Sequence, residues 1–162
     1  MSHSPGMRGF SLIELMIALA LLSIAVGIAV PGFARLVANN QIEAQAQTLN
    51  SLLQFARAQA VVRRTSIEVV NTNDDWVVRT ASDATALRQE TFNPDHATIA
   101  TSLSPVELTF TPNGSAESAV FVICRDDKPL FAYRLEVQPS GSTRLLPRGR
   151  DAQGNELGDC EP

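Results

Sequence analysis

Cysteine, histidine and lysine are scarce in this chain of 162 residues, which holds two Cys, two His and one Lys among its 13 basic residues. With one of the histidines at His3, no Cys/His cluster has zinc spacing, and no Cys, His and acid grouping reads as a nucleophilic site. No Gly-rich phosphate loop follows a strand pattern, and there is no repeat or low-complexity tract. Basic excess is missing too: 13 Lys and Arg stand against 17 Asp and Glu, for a net charge of -4. That balance excludes a bulk nucleic-acid binder and leaves only a local patch. The acids offer oxygen ligands at Asp151, Asn155, Glu156 and Asp159, and in the pairs Asp74-Asp75 and Asp126-Asp127. None of these has the order of an EF-hand, so they read as solvated turn residues. The expectation is a protein that is not an enzyme and takes no cofactor or metal, with a length suited to one globular domain.

Charge is absent altogether between Glu14 and Arg35. The 20 residues from Leu15 to Ala34 would span about 30 Å as a helix, the thickness of a bilayer's hydrocarbon core. A secretory signal would also be apolar, but its core is shorter, carries no acid and ends in a small-residue cleavage site, so Glu14 argues against it. A carboxylate between Ile13 and Leu15 is costly in lipid unless a cation meets it, which marks Glu14 as a functional candidate. The plainer alternative is an acid favoured by the first-turn dipole of a helix. Pro31, between Gly27 and Gly32, removes a backbone hydrogen bond and predicts a kink. Beyond it Ile42, Ala46, Leu49, Leu53, Ala56 and Ala60 keep a three-to-four spacing, so one long helix is expected, softened at Pro31.

The string Gly9-Phe10-Ser11-Leu12-Ile13-Glu14-Leu15 resembles the processing site of the type IV pilin superfamily. The resemblance implies a leader of residues 1–9 cut by a prepilin peptidase between Gly9 and Phe10, and N-methylation of Phe10. It also implies an assembly role for Glu14, paired with the terminal amine of a neighbouring subunit. Pro31 falls where that family carries a helix-distorting proline, and Arg8 supplies the positive charge of the inner side. Residues 10–64 would then be the pilin helix, with 15–34 transmembrane, and 65–162 an antiparallel β domain.

From Ser66 onward the period becomes alternating. Ile67 and Val69, then Trp76 and Val78, then Val106, Leu108 and Phe110, and finally Phe131, Tyr133, Leu135 and Val137 each mark one apolar face of a strand. Ala119 to Cys124 is apolar on both faces and reads as an interior strand. Turns at 71–74, 112–115, 125–129 and 139–142 suggest an antiparallel meander; residues 81–93 read either as a loop with a short strand or as a helical turn. The fold class expected is α+β, a long N-terminal transmembrane and amphipathic helix packed on an antiparallel β-sheet domain.

An exported domain meets an oxidising compartment, so Cys124 and Cys160 are expected to be joined and to pin the tail, the alternative being two buried thiols. Arg144, Arg148 and Arg150 form a short cluster that could grip phosphates, without an aromatic residue to stack on bases. Within the superfamily the helix 39–64 and the Pro139-Ser140-Gly141 turn resemble GspH/FimT-type minor pilins. Members that bind DNA carry Gly-Arg-x-Arg after that turn; here the string is Gly141-Ser142-Thr143-Arg144, which favours FimU-like members. The resemblance implies a minor pilin that joins a membrane-anchored complex, primes pilus assembly and caps the tip. Its partners would be other minor and major pilins through the N-terminal helix, the prepilin peptidase and the inner membrane, with the domain periplasmic until incorporated into a pilus. Two alternatives stay open: a DNA-binding minor pilin for natural transformation, and a minor pseudopilin of a type II secretion system.

Overall fold

The computed structural model describes residues 11–72 and 74–162. Gly9 and Phe10, the expected cleavage pair, lie outside the described residues, as does the side chain of Pro31. The chain divides into two compact units, Met1–Val37 and Ala38–Pro162, and one helix, α1 (Leu12–Arg63), contributes to both. The helix does not end at Val30: its assignment runs through position 31.

In the first unit every side chain described from Ser11 to Val37 is exposed. Mean hydropathy reaches 2.6 here, and this is the one helix among the described residues long and apolar enough to cross a membrane. In the second unit the same helix turns amphipathic. Ile42, Ala46, Leu49, Leu52, Leu53, Ala56 and Ala60 are buried, while Gln47, Ser51 and Gln54 on the opposite side are exposed. Three alanines in that stripe let the helix backbone approach the strands closely. The helix stops at Arg64, whose φ of 54° is left-handed, and the Thr65 amide reaches back to the Ala60 carbonyl at 3.3 Å. That is a Schellman ending built without glycine.

Eight strands follow: β1 (Ile67–Thr72), β2 (Asp75–Thr80), β3 (Ala86–Thr91), β4 (Thr98–Thr101), β5 (Glu107–Phe110), β6 (Ala119–Cys124), β7 (Tyr133–Val137) and β8 (Thr143–Leu145). They form two antiparallel four-stranded sheets, ordered β3-β2-β1-β5 and β4-β6-β7-β8. The single meander expected from the turns is therefore wrong, because β5 returns to lie beside β1 and β4 pairs with β6. Alternation tells which face of a strand is buried and says nothing about its partner. The buried faces are those read from the sequence in β1, β2 and β5, and the segment left undecided contains β3. Ile67, Val69, Trp76, Val78, Leu108 and Phe110 of the first sheet join Phe121, Ile123, Leu135 and Val137 of the second around the helix stripe. Trp76 sits edge-on to both Phe92 and Phe121, at 6.1 and 5.7 Å between ring centroids.

Phe131 is a second correction. It ends a single 3₁₀ turn, Pro129–Phe131, and is 40% exposed, so the strand begins at Tyr133. Pro129 fixes the backbone at the start of that turn and breaks the alternation that Phe131 otherwise fits.

The apolar outer face of β6 has its own cover. Val122, Cys124 and Ala132 pack with Leu157 and Cys160 of the tail. Cys124 and Cys160 are joined by a disulfide, with Cα atoms 5.8 Å apart at a sequence separation of 36. Leu157 is held separately, through its amide to the Gly149 carbonyl at 3.0 Å and an antiparallel backbone β-bridge between Arg150 and Glu156. Closing a loop of this length stabilises a fold by roughly 3–4 kcal/mol in the chain-entropy account. Reduction of the intact protein is accordingly expected to lower the melting temperature by about 10 °C, read by circular dichroism. An unchanged melting temperature would mean that the Leu157 contacts alone hold the tail.

Candidate functional site

In the first unit the candidate is Glu14, the only acid among the described residues of that segment. It stands in the first turn of α1, exposed, and its Oε2 accepts a hydrogen bond from the Ser11 amide at 3.2 Å. With Ser11 three residues before Glu14, this is one half of a capping box. The bond occupies one lone pair of one oxygen, leaving the carboxylate open to a cation.

In the second unit the turns at the end of the sheets converge on one arginine that the sequence did not single out. Arg57 donates from Nε to the Gly114 carbonyl at 3.1 Å and from Nη2 to the Ser140 carbonyl at 2.9 Å. It thereby ties α1 to the β5–β6 turn and to the β7–β8 turn. Its only sequence signal was a cation near the polar residues Asn50, Ser51 and Gln54 of the helix. Beside it, Thr143 donates to Asn50 Oδ1 at 2.7 Å and Gln54 reaches Thr143 Oγ1 at 3.3 Å, fixing β8 against the helix.

Arg144, Arg148 and Arg150 are all exposed, but they do not form one site. Placed beyond the last strand by sequence, Arg144 lies inside β8, opposite Glu136, which also pairs with Arg134 at 3.1 Å. The Arg148 guanidinium lies over the Phe131 ring, 5.7 Å from its centroid. It also acts on Tyr133, whose hydroxyl is pushed up first by burial and then by the Glu43 carboxylate, with Arg148 opposing. Tyr133 therefore keeps its proton across the physiological range. Arg150 donates to the Gly154 carbonyl at 3.3 Å.

The acidic turns are occupied by their own chains. Asp151 accepts from the amides of Gln153 and Asn155 at 2.9 and 2.8 Å. Desolvation pushes its carboxyl upward, but the bonds from Asn155, Gln153 and Gly154 together hold it below its ordinary value. Asp75 accepts from Thr91 at 2.6 Å, and Asp126 faces Arg125 and Lys128 at 3.8 and 3.7 Å. Among the described residues no three His, Cys, Asp or Glu side chains group to hold a metal.

The comparisons with known proteins agree with this architecture. The family described as "Type II transport protein GspH" matches residues 45–141, more than half of the chain, and the "Prokaryotic N-terminal methylation motif" matches residues 5–30. No curated protein matches. Among solved structures, the type IV minor pilin FimU of Pseudomonas aeruginosa superposes with a TM-score of 0.65 at 23% identity, over 75% of this chain and 96% of that one. The minor pseudopilin EpsH of the Vibrio cholerae type II secretion system gives 0.58 at 15% identity, over 70% of this chain and 98% of that one. At these identities the likeness is one of fold, and it is the family match that assigns the sequence: the chain belongs to the GspH family, the minor pilins and pseudopilins of the type IV pilin superfamily.

Proposed function

We propose that this chain is a minor pilin that joins a membrane-anchored complex, primes pilus assembly and remains at the pilus tip. One observation carries the reading: from Ser11 to Val37 every described side chain is exposed, and nearly all are apolar, whereas the continuation of the same helix buries its stripe on the sheets. A surface of that kind is stable only when lipid or other helices cover it. Lipid would cover it before assembly and the helices of neighbouring subunits after it. On this reading the cut between Gly9 and Phe10 frees the amine that meets Glu14 of the next subunit, and the domain from residue 65 faces the periplasm. The softening proposed at Pro31 would let the helix adjust between the two environments.

The family match supports a second reading, a minor pseudopilin, in which the same helix joins a secretion machine. Loss of the whole protein separates the two: fewer sheared pili are expected for a pilus subunit, and secreted proteins held in the periplasm for a pseudopilin.

The DNA-receptor reading has less support, because Arg148 and Arg150 have partners within the chain and Arg144 faces Glu136. Three phosphate contacts would give a salt slope of only about -3 on a log-log plot, with no base readout. Changing Arg144, Arg148 and Arg150 together to alanine is expected to leave pilus number near wild type. Normal piliation without the protein, coupled to lost DNA uptake in the triple variant, would replace the structural role with a receptor role.

A further inference from the structure

The edge of β8 is open, and its hydrogen-bond phase shows which groups it offers. Gln138 donates to the Ser142 carbonyl at 2.9 Å and Leu146 to the Arg134 carbonyl at 2.8 Å. With Glu136 opposite Arg144, the hydrogen-bonded pairs are therefore 138/142, 136/144 and 134/146. The amides and carbonyls of Thr143 and Leu145 point away from β7, and among the described residues no backbone or side-chain group bonds them. Two donors and two acceptors at strand spacing form a template for one more strand.

An open groove of about 550 Å³ adjoins this edge. Gln54, Arg57, Ala58 and Val61 of the helix line one side, and Gly141 and Thr143 the other. Val62, which also lines it, is 77% exposed, and Val61 is 47% exposed. Of the basic residues, Arg57 lines the groove and Arg144 stands in β8 itself, and none of the lining residues is an acid.

We infer that this groove receives an extended, acidic segment of another polypeptide, added as a strand to the free edge of β8. Free carbonyls alternating with free amides match a peptide backbone; phosphates would use the amides and leave the carbonyls unpaired. The valines supply an apolar contact for one face of the incoming strand, and Arg57 and Arg144 select for acids on it. The inference rests on the assembly reading only for the source of the segment. Failure of that reading shows in filaments, whereas failure of this one shows in the binding assay below.

The probe is a labelled twelve-residue peptide of alternating valine and glutamate, titrated into the full chain in detergent micelles, with empty micelles as blank. Saturable binding is expected, together with at least tenfold slower hydrogen exchange at the Thr143 and Leu145 amides. Lysine in place of glutamate in the peptide should weaken binding tenfold or more. Val62→Glu should do the same with an unchanged circular dichroism spectrum, since that side chain stands in solvent. The inference is overturned by binding that leaves both amides exchanging as before, by equal affinity for the lysine peptide, or by no binding at millimolar concentration. A twelve-nucleotide single strand of DNA that slows these amides where the peptide does not would overturn it as well.

Discussion

Glu14→Leu is expected to leave the chain in the membrane and to remove at least nine-tenths of it from sheared filaments. The substitution deletes the sole acid described in the apolar segment, so insertion is unimpaired or improved. What is lost on the proposed pairing is the charge that meets a neighbour's terminal amine where lipid and helices exclude water, and where an ion pair is far stronger than at a surface. The Ser11 contact supplies a control. If the side chain mattered only as a helix cap, Glu14→Gln would keep an oxygen for the Ser11 amide and would assemble normally. If the charge matters, glutamine should behave like leucine. Membrane fractionation and immunoblots of sheared filaments read both variants, and wild-type incorporation of Glu14→Leu would remove the pairing from the account.

Much of this was legible in the sequence because periodicity reports burial directly. The stripe from Ile42 to Ala60 and the inward residues of β1, β2 and β5 follow from spacings of 3.6 and 2. Glu14 stands out as a candidate for a different reason, since one acid bordering a long apolar run conflicts with the solvent preference of everything after it. What stayed hidden depends on pairing and on backbone geometry. Nothing in Glu107–Phe110 says that it lies beside β1, and Phe131 kept phase with Tyr133 although a proline two residues earlier had already turned the chain. The arginines at 144, 148 and 150 are close in sequence, yet Arg144 stands in a strand opposite Glu136, Arg148 lies over Phe131 and Arg150 bonds the Gly154 carbonyl. Arg57 was the hardest to see. Its importance comes from two carbonyls, of Gly114 and Ser140, that a sequence pattern cannot place.

Those two turns set the second large effect, at Gly141. Its φ of 72° is left-handed, where a side chain costs about 1–2 kcal/mol. A Cβ there would overlap the carbonyl oxygen of Gly114, and that carbonyl is the one Arg57 holds. Gly114 has little room to retreat: it is itself left-handed, with φ 83°, and a Cβ on it would stand 3.0 Å from the Val61 side chain. Gly141→Ala must therefore push the β7–β8 turn off the β5–β6 turn and loosen the Arg57 bonds that join both to α1. The combined cost should be about 3–4 kcal/mol, adding backbone strain to overpacking. For a unit of this size that is a fall of about 10–15 °C in melting temperature. Ser142→Ala, at a half-buried neighbour outside this contact, should shift it by only a few degrees, so the pair of variants measured on the full chain in detergent isolates the glycine requirement. A melting temperature for Gly141→Ala within a few degrees of wild type would show that the two turns can separate cheaply, and that Arg57 does not hold them to the helix.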